Sequence, residues 1–199
     1  ALNEDKTRPL YNRALQGTYA PGSTFKLCMT IAGIDSGAIT MYTPITDNGV
    51  YTKYDGFRPT CMIYANTGRT HGTIDVTDAL KVSCNYFFYE LGDRLSITTI
   101  DETAKGLGLG EPTGVELPEK IGSRANPQTK IDLYGEEKGK WYPGNKVLAS
   151  IGQDENRYTP LQLAVYTATI ANKGTRYAAT FLNRVVAADY SSLVLENQA

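Results

Sequence analysis

The sequence predicts an α+β fold that is mostly helical and has few strands. An almost wholly apolar segment follows Pro21-Gly22 and predicts a helix that is buried on most faces and ends near Gly37. Thr159-Pro160 is a strong helix start, because a capping residue precedes proline at the first helical position, and this helix should reach Asn172. Residues 176–196 are rich in β-forming side chains and predict strands.

Between these elements the chain alternates loops with shorter helices. Residues 38–73 lack a helical period and should form loop, with short strands around Val50-Tyr51 and little chemistry. Asp75 or Thr77 is suited to cap the next helix. Another apolar helix should begin directly after Ser83-Cys84-Asn85, so that these three residues lie between two helices.

The second half of the chain is predicted to contain long loops. A short helix covers Thr99 to Lys105 and ends at the glycines that follow. The Gly- and Pro-containing stretch 114–145 is predicted to be a long connection, and its charged run, residues 136–140, a solvated loop. No internal repeat or low-complexity tract is present.

Composition excludes several classes of function. The 199 residues are 41% hydrophobic and 21% charged, as in a globular domain with a real core. The 20 basic and 21 acidic residues give a formal net charge of -1, so no broad positive field attracts nucleic acid. No run approaches the roughly 20 apolar residues needed to span a bilayer, and residues 1–10 lack the order of a signal peptide. We therefore expect any export signal or membrane anchor to lie outside these residues.

The cysteines and the single histidine show no spacing typical of a metal or disulfide site. The chain has an odd number of cysteines, Cys28, Cys61 and Cys84, and they lack CxxC or Cys/His spacing. This pattern favours buried packing roles. We predict no metal and no cofactor. His71 lies in a polar, turn-rich stretch, and we expect a solvated loop residue, although a Ser-His-Asp triad would have to use it.

Ser23 and Lys26 are the strongest candidates for catalysis. A serine at a helix start and a lysine three positions later lie on one face, with Cβ atoms about 5–6 Å apart. Serine needs a base to take its proton, and burial in an apolar helix lowers the pKa of lysine toward the range this role needs. The helix start also favours negative charge beside Ser23. A lysine one turn after a serine is common on solvated helices too, but the apolar surroundings of Lys26 favour the catalytic interpretation.

Further motifs follow in order along the chain. Ser83-Cys84-Asn85 stands 60 positions after Ser23. S-x-x-K with S-D-N and K-T-G is the motif set of penicillin-binding proteins and class A β-lactamases. The chain also contains NRAL (12–15), YAPGSTFK (19–26), SIGQ (150–153) and TPLQLA (159–164). It closely resembles the class B penicillin-binding proteins over nearly its whole length. The resemblance implies the fold of serine β-lactamases and D,D-transpeptidases, with residues 1–199 as the central, mostly helical part of one domain that is incomplete at both ends.

The resemblance implies a serine D,D-transpeptidase. Ser23 would attack the D-Ala-D-Ala amide of a peptidoglycan stem peptide with Lys26 as base, and pass the acyl group to an amine of a neighbouring stem. β-Lactams would acylate the same serine. Ser83 would relay a proton to the leaving group, and Asn85 would hydrogen-bond the substrate amide and help to fix Lys26; their local alternatives are a helix cap and a turn residue. Gln153 is either a substrate-binding residue in the cleft or a structural loop residue.

The same resemblance implies a cellular setting. The enzyme would act on the extracytoplasmic face of the bacterial cell membrane, anchored by a segment not in this chain. Stem peptides and β-lactams would be its ligands, and other cell-wall synthesis proteins its further partners.

The Lys-Thr-Gly box of the family is absent from these residues. Asn172-Lys173-Gly174-Thr175 has the wrong order and ends a helix, where Asn and Gly are typical of a C-terminal cap. In the family this box supplies the carboxylate clamp and half of the oxyanion hole. We therefore expect weak or no transpeptidase activity from the isolated chain.

Two other classes of function compete with this interpretation. A class A serine β-lactamase shares S-x-x-K but uses a glutamate to activate the deacylating water, and no ExxLN segment is present. A non-catalytic β-lactam sensor, or a scaffold domain for cell-wall proteins, would keep the fold without turnover.

Overall fold

The computed structural model describes residues 2–196 and confirms an α+β fold with few strands. In chain order its helices are α1 (Arg13–Gln16), α2 (Lys26–Asp35), α3 (Met62–Thr67), α4 (Val76–Lys81), α5 (Asn85–Arg94), α6 (Ile97–Gly106), α7 (Pro127–Lys138), α8 (Pro143–Ala149) and α9 (Pro160–Ala171). Its strands are β1 (Ile45–Asp47), β2 (Gly72–Ile74), β3 (Arg184–Val186) and β4 (Leu193–Glu196), and 3-10 turns cover Leu2–Glu4 and Gly22–Phe25. Within the described residues, none of the helices combines the length and the apolar character that a membrane span requires.

The chain divides into two compact units. The unit that carries the predicted catalytic residues combines Ala20–Gly106 with Ser123–Arg157. The other combines Ala1–Tyr19, Leu107–Gly122 and Tyr158–Ala199.

Helix α2 lies in the core of the unit that carries the predicted catalytic residues, as its apolar sequence predicts. Cys28, Met29 and Ala32 have no exposed surface, and the helix contacts α5 and α6. Gly33 lets the neighbouring chain approach closely, since a Cβ there would lie 2.9 Å from Cδ1 of Leu91 on α5. Burial of this kind contributes on the order of 25 cal/mol per Å² of apolar surface removed from water.

Residues 38–73 contain more regular structure than the sequence predicts. Strands β1 and β2 pair antiparallel, with Asp47 opposite Gly72, and the Val50-Tyr51 region makes only an isolated bridge between Val50 and Thr60. Helix α3 was also not predicted, because it buries none of its residues and so has no apolar period. The pairing of β1 with β2 brings distant polar residues together.

The two helices on either side of Ser83-Cys84-Asn85 are confirmed. Asp75 caps α4 by accepting from the backbone N–H of Asp78, which decides between the two predicted caps. The sulfur of Cys84 accepts from the N–H of Phe87 and caps α5, so Ser83 is not the helix cap.

The predicted long connection between α6 and α9 is wrong, because α7 and α8 lie within it. The charged run 136–140 belongs largely to α7, although its charged side chains are exposed as expected. Helix α7 buries no residue and contains Gly135 in a non-helical conformation, so its sequence shows no apolar stripe.

The other unit is organised around α9, whose start is confirmed. Thr159 and Gln162 form a reciprocal capping box, in which each side chain accepts from the backbone N–H of the other. The buried amide of Gln162 also donates to the carbonyl oxygens of Glu111 and Ile121. Strands β3 and β4 lie within residues 176–196, where strands were predicted, and they pair antiparallel.

Candidate active site

Ser23 lies exposed on a 3-10 turn, Gly22–Phe25, that runs directly into α2. Gly22 has a φ of +54°, a left-handed conformation that glycine adopts without strain. Lys26 follows at the first position of α2 and is 1% exposed. The turn therefore presents the hydroxyl to solvent while the amine points into the unit.

The amine of Lys26 is held by the segment that connects α4 to α5. Its Nζ lies 2.9 Å from the carbonyl oxygen of Ser83, 3.0 Å from Ser83 Oγ and 2.6 Å from Asn85 Oδ1. Ser83 Oγ lies 2.9 Å from Ser23 Oγ. The structure thus brings the four predicted catalytic residues into one connected set.

The contacts of Lys26 suit a neutral amine. A neutral amine has two N–H bonds and one lone pair, whereas a hydroxyl both donates and accepts. The carbonyl of Ser83 and Oδ1 of Asn85 only accept, so they take both N–H bonds. Nζ also contacts Oγ of Ser83, a hydroxyl that donates to Ser23 Oγ in the structure and that is able to face the lone pair of a neutral amine instead.

Burial also favours the neutral form of Lys26. Removal of the ammonium from water lowers the pKa of Lys26 from 10.5 to about 8, although the charges of Cys84 and Cys61 oppose this shift. The ring of Phe88, whose centroid lies 5.4 Å from Nζ, acts in the opposite direction, because an aromatic face attracts the ammonium. A base with this pKa matches proton transfer near neutral pH.

Ser83 has strained backbone geometry. Its φ is +53°, a left-handed conformation that is uncommon outside glycine but is common for the residue that follows the C-cap of a helix. The N–H of Ser83 donates to the carbonyl of Leu80, and the N–H of Cys84 donates to that of Ala79. These bonds close the end of α4 and fix the direction of the Ser83 carbonyl toward Lys26.

Gln153 lies on the turn that follows α8. It is exposed, and its Nε2 lies 3.9 Å from the position that a Cβ on Gly22 would take. Its backbone carbonyl accepts from Nδ2 of Asn156. The residue is therefore beside the turn Gly22–Phe25, and its contact with substrate stays a prediction.

The interpretation of His71 as a solvated loop residue is wrong. Its side chain is 11% exposed, and Nδ1 lies 2.7 Å from Oδ2 of Asp47 and 3.6 Å from Sγ of Cys61. Pairing of β1 with β2 places the two side chains together, although they are 24 residues apart in sequence. Residues 38–73 therefore hold more polar chemistry than their sequence indicates.

Cys61 and Cys84 are buried, as predicted, but they are not simple packing residues. Their sulfurs lie 3.9 Å apart, and the thiol of Cys84 also approaches Oδ2 of Asp47 at 3.6 Å. Hydrogen bonding from Cys84 lowers the pKa of Cys61 and raises that of Cys84. Burial works against ionisation of Asp47, but hydrogen bonds from the backbone N–H groups of His71 and Gly49 keep its pKa below the usual value.

These four side chains could hold a metal ion. The ligand atoms of Asp47, Cys61, His71 and Cys84 all lie within 4.8 Å of one another. Two thiols, an imidazole and a carboxylate are the ligand types of four-coordinate zinc. The spacing of the cysteines could not reveal this set, because its members come from β1, from the residue before α3, from the residue before β2 and from the cap of α5.

The site has the arrangement of the active-site serine enzymes in which S-x-x-K meets S-x-N. The chain belongs to the penicillin-binding protein transpeptidase domain family, whose model matches residues 1–198.

Known proteins support this membership along most of the chain. Peptidoglycan D,D-transpeptidase MrdA of Acinetobacter baumannii is 37% identical over 176 residues, which are 88% of this chain and 25% of the relative. Penicillin-binding protein PBP2 of Helicobacter pylori, solved in complex with MreC, superimposes with a TM-score of 0.81 at 28% identity, over 90% of this chain and 32% of that chain. Penicillin-binding protein A of M. tuberculosis, solved as its penicillin G acyl-enzyme, superimposes with a TM-score of 0.81 at 25% identity. The match covers 99% of this chain and 43% of that chain. The chain thus spans about a quarter of the curated relative's length.

Proposed function

We propose that this chain carries the acylation centre of a peptidoglycan D,D-transpeptidase that β-lactams inhibit. The observation that carries the proposal is the buried amine of Lys26, joined through Ser83 Oγ to Ser23 Oγ by contacts of 3.0 and 2.9 Å. A scaffold domain has no need to bury an amine beside an exposed serine, because burial of an unpaired cation is costly.

Acylation begins with attack of Ser23 Oγ on the carbonyl carbon of the penultimate D-alanine. As the new C–O bond forms, the Ser23 proton moves to the neutral Lys26 amine, either directly or through Ser83 Oγ. When the tetrahedral intermediate collapses, the C–N bond breaks and Ser83 delivers a proton to the departing D-alanine amine, replenished from the Lys26 ammonium. The products are an ester on Ser23 and free D-alanine.

Transfer of the acyl group reverses this path with a different amine. An amine of a neighbouring stem attacks the ester carbonyl, gives up its proton to the Lys26 and Ser83 pair, and forms the cross-link as Ser23 Oγ leaves and is reprotonated. Oδ1 of Asn85 accepts from Lys26 at 2.6 Å, and its amide NH₂, which also hydrogen-bonds Tyr89, has a second N–H to donate to the substrate. Gln153, beside Gly22, is suited to a second substrate contact.

The relatives support a setting in cell-wall synthesis. Names of related proteins specify peptidoglycan D,D-transpeptidases, and one structural neighbour was solved with MreC. We propose that the whole protein acts on the outer side of the cell membrane with other cell-wall proteins as partners.

The test is covalent labelling of the full-length protein with fluorescent penicillin. The protein should be labelled at one residue, and mass spectrometry should place the adduct on the peptide that contains Ser23. Ser23→Ala should abolish labelling, whereas the matched control Ser192→Ala, at an exposed serine of the other unit, should label like the wild type. Labelling that survives Ser23→Ala would exclude the proposed nucleophile.

Labelling with penicillin, followed over time and combined with an assay of stem-peptide turnover, separates the alternative functions. A β-lactamase would label and then hydrolyse penicillin rapidly, a sensor would label without stem-peptide turnover, and a scaffold domain would not label. A transpeptidase labels stably and also consumes stem peptides with release of D-alanine.

A further inference from the structure

The turn after α8 lies directly against the turn Gly22–Phe25, which carries the proposed nucleophile Ser23. The N–H of Gly22 donates to the carbonyl of Gly152 at 3.0 Å, and Gly152 is buried with a φ of +70°. This backbone contact joins residues that are 130 positions apart in sequence and sits one residue before Ser23.

The contact leaves no room for a side chain on Gly152. A Cβ there would lie 2.3 Å from the carbonyl oxygen of Gly22, 2.8 Å from its nitrogen and 2.8 Å from Cβ of Phe25. All three distances are shorter than real Cβ contacts, and the first two involve backbone atoms that cannot rotate away. Phe25 is 1% exposed, so the core resists its movement. A methyl group would therefore displace the backbone on both sides of Ser23.

The turn itself is fixed to the helix that carries Asn85. Gly92 on α5 packs so closely on the turn that a Cβ there would lie 2.4 Å from Cβ of Ser150. Nδ2 of Asn156 donates to the carbonyls of Ala149 and Gln153 and holds the turn closed. Helix α5 thus bears Asn85 at its first position and, through the turn at Gly152, sets the location of Ser23.

From these contacts we propose that Gly152 is a positioning residue whose lack of a side chain places Ser23 within hydrogen-bonding distance of Ser83. This inference rests on the proposed function, because its consequence is the rate of acylation at Ser23. The 2.9 Å contact between the two hydroxyls is lost if Ser23 moves by about 1 Å, a misplacement that can cost on the order of 10²-fold in rate.

The test compares Gly152→Ala with Gly68→Ala in the full-length protein. Gly68 has the same φ of +70°, but a Cβ there would meet nothing within 4 Å, so its substitution brings the conformational strain without the collision. Gly152→Ala should acylate with penicillin about 10²-fold more slowly than Gly68→Ala. Its reversible affinity before acylation should change by less than about threefold, and the midpoint of its pH-rate profile should match that of the wild type, because Lys26 keeps its surroundings.

Asn156→Asp is a second variant that keeps the side-chain shape. It replaces the NH₂ donor with an oxygen that faces two carbonyls, so it loosens the same turn, and it should slow acylation about tenfold. Equal acylation rates for Gly152→Ala and Gly68→Ala, or, if Gly152→Ala does not fold, a wild-type rate for Asn156→Asp, would overturn the role of Gly152. Absence of labelling in the wild type and in Gly68→Ala would instead overturn the proposed function.

Discussion

Lys26 is an amine with almost no contact with solvent, and its partners explain how the site tolerates it. Two acceptors receive its N–H bonds, and Ser83 Oγ occupies the third direction. The charged form loses hydration without gaining a carboxylate partner within this set, so burial lowers the pKa to about 8. The environment that destabilises the ammonium of Lys26 also produces the neutral amine that the proposed mechanism uses as its base.

Lys26→Arg should remove acylation by penicillin. Arginine is always protonated, so it keeps the charge but cannot accept the Ser23 proton. We expect the rate of acylation to fall by about 10²-fold or more, measured by labelling with fluorescent penicillin. Lys81→Arg, at an exposed lysine of α4, is the matched control and should retain the wild-type rate. A Lys26→Arg protein that is labelled as fast as this control would show that the base lies elsewhere.

At the scale of secondary-structure elements, the sheet of β1 and β2 and the cap of α5 form a polar cluster beside the site. Cys84 belongs to both, since it caps α5 and contacts Asp47, while its neighbours Ser83 and Asn85 hold Lys26. A metal ion on this cluster would tie strand β1 to the segment that positions the amine of Lys26.

The cluster should bind about one zinc ion per chain when the full-length protein is equilibrated with zinc and analysed for metal content. Cobalt in its place should show the charge-transfer absorption of thiolate ligands. Cys61→Ala should lose this metal, whereas Cys28→Ala, a buried cysteine outside the cluster, should retain it. Equal metal contents for these two variants would contradict a metal role for the cluster.

The sequence predicts some elements better than others for physical reasons. Helices α2 and α9 are evident because burial gives one a nearly continuous apolar sequence and a capping box marks the start of the other. Helix α7 has no buried residue, so no apolar period marks it, although Asn126-Pro127 resembles the recognised start at Thr159-Pro160. That signal of a cap followed by proline was present in the sequence and could have located α7.

The residues of the site likewise divide into those that local sequence reveals and those that only the fold brings together. Ser23 and Lys26 are neighbours within one helical turn, and the resemblance to a known family adds Ser83 and Asn85. The surroundings of His71 depend on the pairing of two strands that are distant in sequence, which spacing cannot reveal. For this reason the sequence predicts the catalytic set but not the polar cluster.

Gln162 should be important for the stability of α9. Its amide donates to the carbonyls of Glu111 and Ile121, and the residue is fully buried. Gln162→Leu leaves both carbonyls without these donors and should cost about 2–4 kcal/mol, measured as a lowered midpoint of thermal unfolding. Gln128→Leu, at an exposed glutamine of α7, should change stability by less than about 0.5 kcal/mol, and an equal effect of the two would contradict this role.

At the scale of the whole molecule, the candidate site assembles three separate stretches of the chain. The turn Gly22–Phe25 and the start of α2 supply Ser23 and Lys26, and the segment that leads into α5 supplies Ser83 and Asn85. The turn after α8 supports the first of these stretches through the hydrogen bond between Gly22 and Gly152. All three belong to one compact unit, so their relative positions depend on its core. The proposed acylation site is therefore formed by the folded unit rather than by any single motif.

The role of Lys26 as the base is tested most directly by the pH dependence of acylation of the full-length protein by penicillin, measured from about pH 6 to about pH 10. The neutral fraction of Lys26 grows as pH rises, so the rate should increase and level off, with a midpoint near 8. A rate that is independent of pH over this range, or a midpoint at the ordinary lysine value of about 10.4, would contradict the role of a buried neutral amine.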